Sequence, residues 1–186
     1  MPKMAPDKRS RLTQAALKLV YRHGFEKTAL ADIAHEAKVP LGNVYYYFKT
    51  KTEIGEAIVE QHLAGFRAMR EQWDRMGSAK ERLLGFVQMT VDNQEAVARF
   101  GCPIGTLCSE LHKEGGPLAK KSTILLTETL AWIEGQFRAL GEVDSRGLAV
   151  HVLSALQGAS VLAHTFRDPE VLASEAGRIS DWIRAL

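Results

Sequence analysis

Cysteine is scarce in this chain of 186 residues, and several familiar signals are missing altogether. Cys102 and Cys108 are too few for a disulfide framework. Six apart on a helix, they point to different faces, so neither a local disulfide nor a shared metal is favoured. No uninterrupted stretch reaches the roughly 18 apolar residues of a membrane span. The opening MPKMAPDKRSRL is charged and lacks the apolar run of a secretory leader. A soluble, cytoplasmic chain with no membrane partner is therefore expected. Strand-like alternation, internal repeats and low-complexity segments are missing, which points to an all-α fold. There is no metalloprotease helix motif, phosphate loop or nucleophile elbow. The six histidines are scattered. His151 and His164, thirteen apart on one predicted helix, lie about 220° around it and share no face. No catalytic residue, metal site or cofactor is expected, and the chain does not read as an enzyme.

What is present is an uneven charge. The net charge is only +2. Residues 1–51 nevertheless hold ten Lys/Arg against four Asp/Glu, net +6, and the remainder fourteen against eighteen, net −4. A basic head on an acidic body is the asymmetry of a nucleic-acid-binding module joined to a part with another task.

Within that head, residues 28–51 read TALADIAHEAKVPLGNVYYYFKTK. Leu30, Ile33, Ala34 and Ala37 fall at helical spacing, with Thr28 placed to cap the start. Lys38 to Pro40 form a short joint, and Pro40 sits at or next to the first position of a second helix, where its missing N–H costs nothing. That helix runs from Leu41 to Phe48. It carries Asn43, then Tyr45, Tyr46 and Tyr47, with Lys49 and Lys51 after. This is a helix-turn-helix whose second helix is too polar and aromatic to be plain core. Hydroxyls and an amide suit phosphates and base edges, and lysines suit phosphates. Phe48 is expected to be buried.

These residues resemble the DNA-binding motif of the TetR family of bacterial transcriptional regulators over about 50 residues, Asp7 to Ile58. The resemblance rests on Tyr45, an aromatic at Tyr47, Phe48 and Lys51, with Thr28, Ile33, Ala34 and Ala37 upstream. The family has Gly where Lys38 stands and Ser where Pro40 stands. A left-handed residue at Lys38 would cost roughly 1 kcal/mol. The resemblance implies DNA contacts from Thr28, Lys38, Pro40, Leu41, Gly42, Asn43, Tyr45, Tyr46, Tyr47 and Lys51. It also implies a homodimer on a near-palindromic double-stranded operator, and repression relieved by a small-molecule effector.

About nine helices are predicted: three in a helix-turn-helix domain, 1–51 (motif about 29–48), and the rest in a ligand-binding and dimerisation domain, 52–186. The first runs from Asp7 to His23 and is stopped by Gly24. The fourth runs from about Thr52 to Trp73, with a stripe of Ile54, Ile58, His62, Phe66, Met69 and Trp73. Ser78-Ala79-Lys80-Glu81 fits a capping box opening the fifth. Phe100-Gly101-Cys102-Pro103 breaks the chain before a short sixth helix ending near Lys113. The seventh spans Pro117 to Leu140. Asp144 caps the eighth, which reaches Phe166 and is rich in small residues from Ser154 to Ala163. The ninth follows Asp168-Pro169, with Leu172, Ala176, Ile179, Ile183 and Leu186 at four-three spacing. Helices eight and nine could pair with their copies in a four-helix bundle.

The resemblance further implies an effector cavity in the body, mostly apolar with a few polar groups. Its candidate lining is His62, Phe66, Phe86, Phe100, Cys102, Trp132, Phe137 and Gln157, with Gln88 and His151 as further polar groups. Aromatics at helical spacing equally suit a simple core. Cys102 precedes the sixth helix, where the backbone dipoles would suit a thiol sensor of oxidants or electrophiles, or else a small residue filling a tight turn. A small-molecule enzyme on a helical bundle using Cys102 is a third reading, which leaves the basic head unexplained.

Overall fold

A computed structural model describes residues 7–186; residues 1–6 of the charged opening lie outside the described part. Among the described residues the structure holds ten helices and no strand: α1 (Lys8–His23), α2 (Leu30–Glu36), α3 (Leu41–Tyr47), α4 (Lys51–Trp73), α5 (Ala79–Asp92), α6 (Gln94–Phe100), α7 (Pro103–Glu114), α8 (Gly116–Ala139), α9 (Ser145–Phe166) and α10 (Glu170–Ala185). The all-α reading holds. The stretch expected as one helix from Ser78 to the Gly101 break is two, α5 and α6. Asn93 separates them, its side-chain amide donating to the Met89 carbonyl at 2.7 Å.

The helix ends follow from local chemistry. Asp7 caps α1, accepting from the Ser10 N–H at 2.7 Å, and Gly24 at φ 89° stops it. Ser78 and Glu81 make the reciprocal capping box at 3.1 and 2.9 Å. Asp144 caps α9 through the Gly147 N–H at 3.0 Å. Thr28 does not cap α2. The N-cap is Ala29, and Asp32 accepts from its N–H at 3.2 Å. Thr28 is instead buried, and its hydroxyl donates to the Gly24 carbonyl at 2.7 Å. The same residue's N–H donates to the Phe25 carbonyl at 3.2 Å, closing a turn in the α1–α2 connection.

The chain divides into two compact units. The first comprises residues up to Leu63 together with Thr106–Thr123, so it takes in the end of α7 and the start of α8 as well as the helix-turn-helix. Its buried side chains include Leu12, Ile33, Val44, Phe48, Ile54 and Ile58. The second comprises Ala64–Gly105 and Ile124–Leu186. Its core joins Phe66, Trp73, Leu83, Phe86, Trp132, Phe137, Leu156, Leu172 and Ile183, with α10 packed on α5 and α9, and α6 on α9. Among the described residues α9 is the one helix long and apolar enough to cross a membrane by length and composition. Its Ala149, Val152, Leu156, Ala159 and Ala163 are buried in this core.

Candidate nucleic-acid interface and effector core

The second helix of the helix-turn-helix has two unlike faces. Val44 and Phe48 are buried, as is Val39 in the turn. Phe48 lies under the Arg9 guanidinium, 5.2 Å from the ring centre. Facing outward are Leu41, Gly42, Tyr45 and Tyr46, with Tyr46 77 % exposed. Asn43 and Tyr47 are half-buried, and the Tyr46 and Tyr47 rings meet edge to face at 5.1 Å. Exposed tyrosines in a helix anchored from below offer flat, polar-tipped contacts at little entropic cost.

The turn carries the strain expected of it. Lys38 is left-handed at φ 53°, and its side chain is exposed. Pro40, also exposed, is the N-cap of α3, one residue before the first helical position. The turn is closed by Arg11 of α1, whose guanidinium donates to the Lys38 carbonyl at 2.9 Å and also to that of Ala37. Sequence reading missed this role, because nothing in the spacing of α1 distinguishes Arg11 from its basic neighbours. Lys49 folds back onto the Tyr45 carbonyl at 2.7 Å. Lys51 is less free than a phosphate contact implies. Its ammonium donates to the Glu26 carbonyl at 2.9 Å, sits 3.6 Å from the Glu26 carboxylate and lies 4.9 Å over the Phe25 ring. Of the candidate contacts, Thr28 is the one whose side chain is buried and already bonded.

On the same unit Lys18 pairs with Glu36, and that hydrogen bond holds the Glu36 carboxyl below its ordinary range. His62 is half-buried, and burial pulls its imidazole below the usual histidine range.

The effector candidates fall into separate groups. Phe66, Phe86 and Trp132 come together with Trp73, their ring centres 5.2–6.5 Å apart in edge and tilted contacts. All four rings are buried. The Trp132 indole N–H donates to Asp74 at 3.1 Å, a partner that the sequence did not suggest. Phe137 is fully buried and packs on Trp182 at 5.8 Å. Phe100 is half-buried, with the Arg99 guanidinium 5.1 Å over its ring. The Cys102 sulfur accepts from the Gly105 N–H and from the Gln157 amide, both at 3.4 Å. His62 belongs to the other compact unit. An open groove of about 500 Å³ lies along α5 and α10, lined by Met76, Glu81, Leu84, Gln88, Ser180 and Arg184 among others. Of the polar candidates it includes only Gln88.

A sequence profile described as "Bacterial regulatory proteins, tetR family" matches residues 12–58, which span α1, α2, α3 and the start of α4. The HTH-type transcriptional regulator TtgR of Pseudomonas putida is 31% identical over 170 residues, covering 83% of this chain and 79% of the relative. The chain belongs to the tetR family. The HTH-type transcriptional repressor NemR of Escherichia coli is 28% identical over 88 residues, covering 46% of this chain and 44% of that repressor. A TetR transcriptional regulator from Legionella pneumophila shares the fold with a TM-score of 0.86 and 19% identity, over 96% of this chain and 98% of that one. Family membership makes the protein a DNA-binding transcriptional regulator rather than an enzyme.

Proposed function

We propose that this tetR-family protein is a cytoplasmic repressor that binds a near-palindromic operator as a homodimer and leaves it when a small apolar effector binds. The observation that carries the reading is the two-faced helix α3, with Val44 buried beneath it and Leu41, Gly42, Tyr45 and Tyr46 presented outward. Its first residues and outward tyrosines enter the major groove. Asn43 and Tyr47 flank them, and exposed Lys38 and Pro40 approach a phosphate at the helix start. Lys51 contributes charge near the backbone while tied to Glu26. Thr28 acts from inside, by fixing the loop before α2. In functional terms residues 1–51 form the head, and 52–186 bind effector and dimerise.

The dimer uses the predicted helices eight and nine, α9 and α10. Support comes from an outward face of α9 that is apolar or small: Val150, Ser154, Gly158, Val161, Leu162 and Phe166 are all exposed. Such a face is expected to be covered by its own copy. The effector parts the rings of Phe66, Trp73, Phe86 and Trp132, and the Asp74 carboxylate supplies a polar handle. Phe137 shares that core but makes its ring contact with Trp182, and Phe100 is half-buried, so both have weaker support, as do His62 of the other compact unit and Gln157, which bonds to Cys102. The test is selection of bound sites from random duplex DNA. Recovery of a two-fold symmetric site supports the reading; recovery of unrelated sequences with no shared half-site sinks it. A second reading makes Cys102 a thiol sensor, supported by two N–H donors aimed at its sulfur. N-ethylmaleimide should then release wild type from the selected operator and spare Cys102→Ser. Equal release in both removes it.

A further inference from the structure

The connection between α1 and α2 is gripped by residues distant from it in sequence. The Glu110 carboxylate of α7 accepts from the N–H groups of Phe25 and Glu26, both at 2.8 Å. These two backbone donors lie 85 and 84 residues away along the chain. Gly24, at φ 89°, makes room for the carboxylate. A Cβ there would stand 3.1 Å from one Glu110 oxygen and 3.2 Å from the other. From α4, Lys51 holds the Glu26 carbonyl and covers the Phe25 ring. Phe25 is buried, and a Cβ on Gly55 of α4 would come within 3.0 Å of its ring and 2.4 Å of Leu118 on α8. Three helices of the same compact unit, α4, α7 and α8, thus converge on the tripeptide Gly24-Phe25-Glu26.

We propose that Glu110 is a positioning residue for DNA binding: its carboxylate clamps the α1–α2 connection, and so fixes the direction in which the helix-turn-helix is presented to the operator. The inference rests on the reading of α3 as the recognition helix. Two donors on one carboxylate fix orientation as well as distance, as a single hydrogen bond does not. Next to the clamp, Thr28 binds the Gly24 carbonyl and is followed by Ala29, the N-cap of α2, which packs on α3. A rotation at Phe25 is therefore carried into α2 and α3. Glu110 contributes no positive charge, so its part in DNA binding is geometric. The effect should appear in discrimination between sequences and not in general attraction to DNA.

The experiment compares wild type with Glu110→Gln, which keeps size but leaves one acceptor where there were two. Hydrogen exchange at the Phe25 and Glu26 amides, circular dichroism and operator affinity are measured well below the melting temperature. The operator is the site selected from random DNA, and random duplex is the control. Expected are faster exchange at those two amides, unchanged helicity, operator affinity roughly tenfold weaker, and unchanged affinity and salt slope on random duplex. Glu110→Asp, a methylene shorter, should fall between them. A ratio of operator to random affinity equal to that of wild type would overturn the proposal. So would equal losses on both DNAs, which point to general unfolding. If wild type itself shows no preferred site, the reading of α3 fails, and the exchange data still report whether the clamp exists.

Discussion

Replacing Lys38 by glycine should move stability and DNA binding in opposite directions. Lys38 holds φ 53° with an exposed side chain, so its backbone bears the left-handed penalty with no packing in return. That penalty is about 1–2 kcal/mol for a residue with a Cβ. Glycine removes it but adds about 0.5–1 kcal/mol of chain entropy to the unfolded state. The net gain is about 0.5–1 kcal/mol, or about 2 °C in melting temperature for a chain of this size. The Arg11 bond survives, because it ends on the Lys38 carbonyl and not on the side chain. On DNA the variant loses one cation at the start of α3. Affinity should fall alike for all sequences, and the slope of log K against log salt should become shallower by about one. Lys38→Asn, which tolerates the left-handed region without charge, should share the DNA loss with part of the stability gain. Lys38→Arg should keep both wild-type properties. Differential scanning calorimetry and fluorescence anisotropy at several salt concentrations read the two effects. A lower melting temperature for Lys38→Gly would refute the strain argument. An unchanged salt slope would refute the phosphate contact.

Other substitutions test other parts. Tyr46→Ala should weaken operator binding by about 1–3 kcal/mol in a gel shift, with no change in melting, since Tyr46 is 77 % exposed. Gly158→Arg should shift the sedimenting species from dimer to monomer. No neighbour stands within 4 Å of a Cβ at Gly158, so the chain itself tolerates the side chain and only a partner would not. Burial lowers the His62 pKa in the folded state. The unfolded chain then takes up a proton first as pH falls through its ordinary value of 6.5, and that stabilising contribution is lost on acidification. Relative to His62→Gln, wild type should lose stability between pH 7 and 5 by at most about 1.4 kcal/mol per unit, measured by urea unfolding. Parallel curves would refute it.

The head was legible because its signals are local. The Gly24 stop and the Pro40 start act over three or four residues and stand where the spacing placed them, and the left-handed residue at Lys38 stands where the family resemblance implied it. Phe48 was legible as core from the ordinary burial of phenylalanine, and it is buried. Contacts made across the chain were not. Arg11, Asp74 and Glu110 are ordinary charged residues until the fold brings a backbone carbonyl, an indole and two N–H groups to them. Thr28 reads as a helix cap by position, yet its hydroxyl is captured by the Gly24 carbonyl. In the body, helical spacing identified the aromatic stripe correctly but had no means of telling a lined cavity from rings packed on one another.

The way Arg11 closes the turn bears on how such a head could be reprogrammed. Its guanidinium holds the carbonyls of Ala37 and Lys38, groups that every amino acid at those positions possesses. The bend of the motif is thereby independent of the outward side chains at Leu41, Gly42, Tyr45 and Tyr46. Those four positions form an exchangeable reading surface on a fixed mount. A library randomised there, with Arg11, Val44 and Phe48 retained, should yield folded variants at high frequency, differing from one another in the DNA they select.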